Sequence, residues 1–218
     1  VVGGAAYALS PAMTALVGST SGGQLPAALL PWVLVPLIDG ATEGSPRRAA
    51  ARSALAVVAM GAVNAASTLA VLPLAGLWLV TRRPGPRRRR LTAWWLGLLA
   101  LGTSWWTIAL VVQARYGLHF VPFTEQADVT TATTAAVEVM RGAGYWLSSV
   151  VTLGPWLPAG WTLQASAVAI AGTVALTAAG IVGLARRDMP ERVFSVTAVG
   201  LGVAVIGAGY AGSAGGPL

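Results

Sequence analysis

The chain has 218 residues, 56% hydrophobic and 10% charged, with a mean hydropathy of +0.71. A soluble domain carries about a quarter charged residues, so an ordinary water-facing surface is excluded. The net charge of +7 rests on 14 arginines and no lysine, set in short runs between long apolar stretches, which is a pattern of membrane topology and not of nucleic-acid binding.

The apolar segments follow one another along the chain. Residues 4–18 form the first, ending at Gly18-Ser19-Thr20-Ser21-Gly22-Gly23. Residues 25–38 form the second, with Pro26, Pro31 and Pro36 five apart. Ser45-Pro46 then reads as an N-cap followed by proline at the first helical position. Residues 53–80 form a long third segment and 92–112 a fourth, long enough to cross a core of ~30 Å. A polar, aromatic stretch occupies 113–161, and segments 162–185 and 193–212 complete the chain. The start at Val1-Val2-Gly3-Gly4, without an initiator methionine, reads as a piece of a longer polypeptide.

Arginine sets the orientation. Clusters lie at Arg47, Arg48 and Arg52, at Arg82, Arg83 and Arg87 to Arg90, and at Arg186, Arg187 and Arg192. If 53–80 crossed once, the first two clusters would fall on opposite sides. If it enters and returns, every cluster is cytoplasmic and only Arg115 and Arg141 lie outside. The polar break Asn64-Ala65-Ala66-Ser67-Thr68 divides the segment into two halves and supports the second reading. A break at membrane depth survives only inside protein or beside a wet cavity, so Asn64 and Thr68 are expected to face a polar cavity. The alternative is one tilted helix. The expected fold is all-α: a polytopic transmembrane bundle with a re-entrant hairpin, one domain over 1–218, and an extracytoplasmic loop 113–161.

That loop carries the candidate chemistry. His119-Phe120-Val121-Pro122-Phe123-Thr124-Glu125-Gln126-Ala127-Asp128 is aromatic and proline-braced, with Glu125 placed to bind a hydroxyl, pair with an arginine or act as a base. Residues 129–147 read as an interfacial helix, from the spacing of Val129, Thr133, Val137, Met140 and Trp146. Arg141 suits a phosphate, or a lipid headgroup. His119 and Asp128 complete the candidate binding set. Cysteine is absent and His119 is the only histidine, which excludes thiolate and multi-histidine metal sites within the chain. No cofactor is implied, a divalent metal being left open. No Walker loop, G-x-S-x-G elbow or dinucleotide fingerprint occurs in the required context.

Four stretches, in order, carry a resemblance: Tyr7-Ala8-Leu9-Ser10-Pro11; Leu25-Pro26 with Pro31-Trp32-Val33-Leu34 and Pro36-Leu37; Gly61-Ala62-Val63-Asn64-Ala65-Ala66-Ser67-Thr68-Leu69-Ala70; and Phe123-Thr124-Glu125-Gln126-Ala127-Asp128-Val129-Thr130-Thr131. Together the chain resembles the actinobacterial alpha-(1→3)-arabinofuranosyltransferase family of GT-C type, most strongly over 45–147. The resemblance implies a plasma-membrane enzyme. It takes arabinofuranose from decaprenyl-phosphoryl-arabinofuranose and adds it to a cell-wall arabinan acceptor at the extracytoplasmic face. It also implies a main catalytic base upstream of Val1, so that the piece alone is inactive. Glu125 is the matching acidic position of the later loop, and Asn64 points toward the lipid-phosphate cavity. The competing readings are a transporter or flippase, and a non-catalytic membrane scaffold. Transporters often carry ionisable groups inside their spans, and the segments named above have none.

Overall fold

A computed structural model describes residues 2–16, 21–61, 65–118 and 134–214. Those residues form helices and turns, in two compact units: Gly22–His119, and Val1–Ser21 with Phe120–Leu218. Among the described residues, four helices are long and apolar enough to cross a membrane: Gly22–Thr42, Pro86–Tyr116, Ala167–Ala185 and Arg192–Ala211.

In the second unit along the chain, α3 covers Ser21–Thr42, α4 Pro46–Met60, α5 Ala65–Thr81 and α6 Pro86–Tyr116. (The short α1, Val2–Ala8, and α2, Pro11–Thr14, belong to the other unit.) Helix α3 is longer than the expected 25–38 and runs through Pro26, Pro31 and Pro36. Each proline removes one intrahelical bond, a loss that membrane helices tolerate where neighbours satisfy the freed carbonyls. Ser45 caps α4 as expected, its Oγ accepting from the Arg48 amide at 3.5 Å, with Pro46 in the first turn. Helix α6 exceeds 92–112 at both ends. Pro86 opens it, and Arg87 to Arg90 are good helix formers that extend the span into its polar flank.

Side-chain contacts fix the directions of these helices. Gly40 of α3 lies against Ala49 of α4, and the Val33 carbonyl accepts from Ser53 Oγ at 2.8 Å, so α3 and α4 are antiparallel. Ala49 and Leu91 meet at the same glycine, Trp95 Nε1 donates to Ser53 Oγ at 2.9 Å, and Val58 lies against Gly102. Those pairs climb α4 and α6 together, so the two helices are parallel. Two parallel helices joined through α5 require α5 to return. Helix α4 stops at Gly61, whose φ of 64° is open to glycine at little cost and strained for other residues.

The arginine-bearing ends confirm the return. Arg87 donates from Nε to the Gly40 carbonyl at 2.9 Å and from Nη2 to the Gly44 carbonyl at 2.6 Å. Arg88 donates from Nη1 to the Arg82 carbonyl at 2.7 Å and to the Val80 carbonyl at 3.4 Å. Arg47 sits over the Trp94 ring at 5.0 Å. The start of α4 and the end of α5 therefore share one end of the unit. A single helix from Pro46 to Thr81 would hold them roughly 50 Å apart. The hairpin reading holds, and the tilted-helix alternative fails. The core of this unit is small: Val33, Leu37, Val57, Met60, Trp78 and Leu91 are buried.

In the other unit, α7 covers Ala136–Met140, a 3-10 turn Trp146–Ser149, α8 Pro158–Ala165, α9 Ala167–Ala185 and α10 Arg192–Ala214. The helix expected over 129–147 is thus, where described, five residues long, because the chain turns back at Gly142. The segment expected at 162–185 is divided at Ser166, whose Oγ caps α9 by accepting from the Ala169 amide. Helices α9 and α10 are joined by Arg186-Arg187-Asp188-Met189-Pro190-Glu191, where Arg186 pairs with Asp188 at 3.0 and 2.6 Å. That pair holds the Asp188 carboxyl below the usual carboxylate range. At the opposite end, Tyr210 OH donates to the Thr134 carbonyl at 2.5 Å. The arginine loop and the 134–161 stretch therefore lie at opposite ends of these spans.

Candidate functional site

The described part of the polar stretch is built around one side chain. Arg141 follows α7 and is 5% exposed. Its Nη1 donates to the Leu163 carbonyl at 3.1 Å and to Thr173 Oγ1 at 2.7 Å. Thr173 passes its own proton back to its helix, to the carbonyls of Ala169 and Ile170. Helix α8 braces the same turn. Gln164 Nε2 donates to the Ala143 carbonyl at 2.8 Å, and Gln164 Oε1 accepts from Ser149 Oγ at 3.1 Å. Ser148 packs under Gly160, beside the Ala15 carbonyl.

The partners of Arg141 are neutral. Among the described residues, no carboxylate lies within ion-pair distance of it. Glu138, three residues upstream, spends its Oε2 on the Ala135 amide at 2.8 Å. The guanidinium is thus held by one carbonyl and one hydroxyl, with no counter-charge among the described residues. Such a cation carries a desolvation cost that a bound anion relieves. A phosphate can engage a guanidinium through two parallel bonds.

Thr68, in the first turns of α5, is fully buried inside the other unit and so does not face lipid. Asn64, His119, Glu125 and Asp128 lie outside the described residues. Several residues that shape one unit or the other gave no signal in the sequence. Thr173 and Gln164 are single polar residues in apolar helices. Ser53, fully buried, bonds both α3 and α6. Arg87 and Arg88 read as topology charges, yet they also satisfy carbonyls at and just past the C-terminal ends of α3 and α5, groups that helix geometry leaves without donors.

Spanning helices, a returning hairpin and a polar stretch at one end of the spans define a polytopic membrane bundle of the GT-C kind. The chain belongs to the alpha-(1→3)-arabinofuranosyltransferase family, whose N-terminal GT-C domain model matches residues 1–218. It is 41% identical, over its whole length, to an alpha-(1→3)-arabinofuranosyltransferase of Mycolicibacterium smegmatis and to one of Mycobacterium tuberculosis. It spans 15% and 16% of the length of those relatives. The cryo-EM structure of the arabinofuranosyltransferase AftD from mycobacteria superposes with a TM-score of 0.65 at 40% identity, covering 86% of this chain and 12% of that one. A mutant form of AftD gives 0.64 at 34% identity, over 96% of this chain and 13% of that one.

Proposed function

We propose that this chain is part of a longer plasma-membrane glycosyltransferase that moves arabinofuranose from decaprenyl-phosphoryl-arabinofuranose onto cell-wall arabinan. The names of its relatives support the sugar transferred and its alpha-(1→3) linkage. Within the chain, the reading is carried by Arg141, a buried cation with neutral partners at the end of the spans away from the Arg186–Arg192 loop. In transfer, an acceptor hydroxyl attacks the anomeric carbon and the bond to phosphate breaks. The hydroxyl proton goes to a carboxylate, and the lipid phosphate leaves with the electron pair. Arg141 would hold the phosphate as its charge grows. Glu125 is the candidate carboxylate in this chain, with His119, Asp128 and Asn64 as candidate donor- or acceptor-binding residues, while Thr68, fully buried, lines no open path. The main base is proposed to lie in the longer protein, with Glu125 as a second acid–base group beside it. Both units are parts of one GT-C domain.

The reading is tested on the full-length protein. Glu125→Gln is expected to lower transfer from the polyprenyl donor to an arabinan acceptor by about a hundredfold, the lower range for a positioned acid–base group. Unchanged turnover removes Glu125 from the site.

The arginine ends are proposed to face the cytoplasm and 113–161 the exterior. The chain has no cysteine of its own. A thiol reagent that cannot cross membranes is therefore expected to label Leu153→Cys, at a fully exposed loop position, from outside intact cells. Arg89→Cys, in the first turn of α6, is expected to stay unlabelled. The reverse pattern overturns the orientation.

A further inference from the structure

The α3–α4 pair lines a groove with a cavity of about 1050 Å³. Its lining runs from Leu29 to Gly40 on α3, through Glu43, Gly44 and Ser45 of the turn, and from Arg48 to Ala56 on α4. One end is apolar, where Trp32, Val35 and Leu55 are 68%, 52% and 65% exposed. The other end is charged with both signs. Asp39 stands in the last turn of α3 and Glu43 just past its end, the Glu43 amide donating to the Asp39 carbonyl at 2.9 Å, while Arg48 and Arg52 are one turn apart on α4.

Two properties of the charged end select a ligand. First, its rows do not neutralise each other. Among the described residues the ion pair is Arg186–Asp188, so Arg48 and Arg52 close none with Asp39 or Glu43. Second, the four charged side chains that line this end sum to zero; the Arg87 guanidinium beside them is held by the Gly40 and Gly44 carbonyls and does not line the groove. An anionic headgroup would satisfy the arginines and be opposed by the carboxylates. A headgroup with a phosphate and a protonated amine satisfies both rows. An amine bearing N–H groups also donates charge-assisted hydrogen bonds to carboxylates, which a quaternary amine does not.

Length agrees. Leu29 to Glu43 is about 21 Å at the helical rise of 1.5 Å per residue. One leaflet with its headgroup layer is roughly 20–22 Å thick. The apolar part, Leu29 to Pro36, is about 10 Å long and would take the upper part of an acyl chain, and the charged part lies at the arginine-bearing end of the unit, where a headgroup belongs.

From this juxtaposition we propose that the α3–α4 groove is a binding site for a zwitterionic phospholipid with a primary-amine headgroup. Its phosphate lies on Arg48 and Arg52, its ammonium on Asp39 and Glu43, and its chain along Trp32, Val35 and Leu55. The proposal does not depend on the transfer reaction, and its test reads lipid binding alone.

The test uses the full-length protein, delipidated in detergent and offered equal amounts of phosphatidylethanolamine, phosphatidylglycerol and phosphatidylcholine. Retained lipid is counted by native mass spectrometry. Phosphatidylethanolamine is expected to be retained about tenfold over the other two, the selectivity of one charge-assisted bond. Asp39→Asn with Glu43→Gln should erase that preference, and Arg48→Gln with Arg52→Gln should lower retention of both phosphatidylethanolamine and phosphatidylglycerol. Asp39→Arg with Glu43→Arg should turn the preference toward phosphatidylglycerol, a gain that misfolding does not imitate. Equal retention of the three lipids by the unaltered protein overturns the proposal, as does a preference that these changes leave intact. Crosslinking of Leu55→Cys to another segment of the longer chain also overturns it, because the groove would then be filled by protein.

Discussion

Gly40→Ala is expected to destabilise the α3–α4–α6 unit by about 3 kcal/mol, the upper range for overpacking a tight contact. The added methyl would overlap the Ala49 side chain and press on Leu91 Cδ1 at 3.3 Å. Neither β-carbon can rotate away, since each is fixed by its own backbone. Relief requires α3 to move off α4. That movement draws the Val33 carbonyl from Ser53 and the Gly40 carbonyl from Arg87, so the hydroxyl bridge to Trp95 and the cap on α3 weaken together. Unfolding of the full-length protein in denaturing detergent, followed by tryptophan fluorescence, measures the loss. Adding Ala49→Gly to the variant returns the missing volume and is expected to recover most of the stability. Failure of that rescue would show that the close approach of the two helices is not what Gly40 serves.

The contrast between what the sequence revealed and what it hid has a physical source. Spans and their ends are written in hydropathy and charge, which survive in one dimension. The hairpin was legible for that reason: two arginine clusters on one side of a membrane demand that the segment between them return. Helix register is not written that way. Gly40, Ala49 and Gly102 are unremarkable small residues in a chain with 27 glycines, and only their pairing across helices shows that three helices close on them. Arg87 and Arg88 satisfied the topology rule so fully that nothing in the sequence suggested their capping of α3 and α5. The same limit applies to the site. Leu163 and Thr173, which hold Arg141, lie 22 and 32 residues downstream, and Met140-Arg141-Gly142 carries no trace of them. An exposed arginine on an interfacial helix was a fair expectation from the spacing of Val137 and Met140. Those two side chains are indeed exposed, while the turn after α7 folds Arg141 inward.

That inward placement separates a structural role for Arg141 from one in transfer. Arg141→Met is expected to lower arabinose transfer by about a hundredfold, as removal of one preorganised donor does, while the unfolding temperature stays level or rises. The expectation follows from the cost of the charge. Methionine fills much of the same volume and removes a buried cation whose neutral partners, Leu163 and Thr173, do not offset its desolvation. Thr173 keeps its own bonds to Ala169 and Ile170, while the Leu163 carbonyl, in the last turn of α8, loses its donor at a cost of about 1 kcal/mol, less than the desolvation of the charge removed. Arg141→Lys preserves the charge but loses the planar fork that can hold a carbonyl, a hydroxyl and a phosphate oxygen together, and it should restore transfer only in part. If Arg141 serves the fold alone, the methionine variant unfolds at lower temperature and its remaining folded fraction transfers arabinose at the normal rate. In the full-length protein, a fall in transfer with stability intact is the signature of a cation kept buried for the lipid phosphate proposed above.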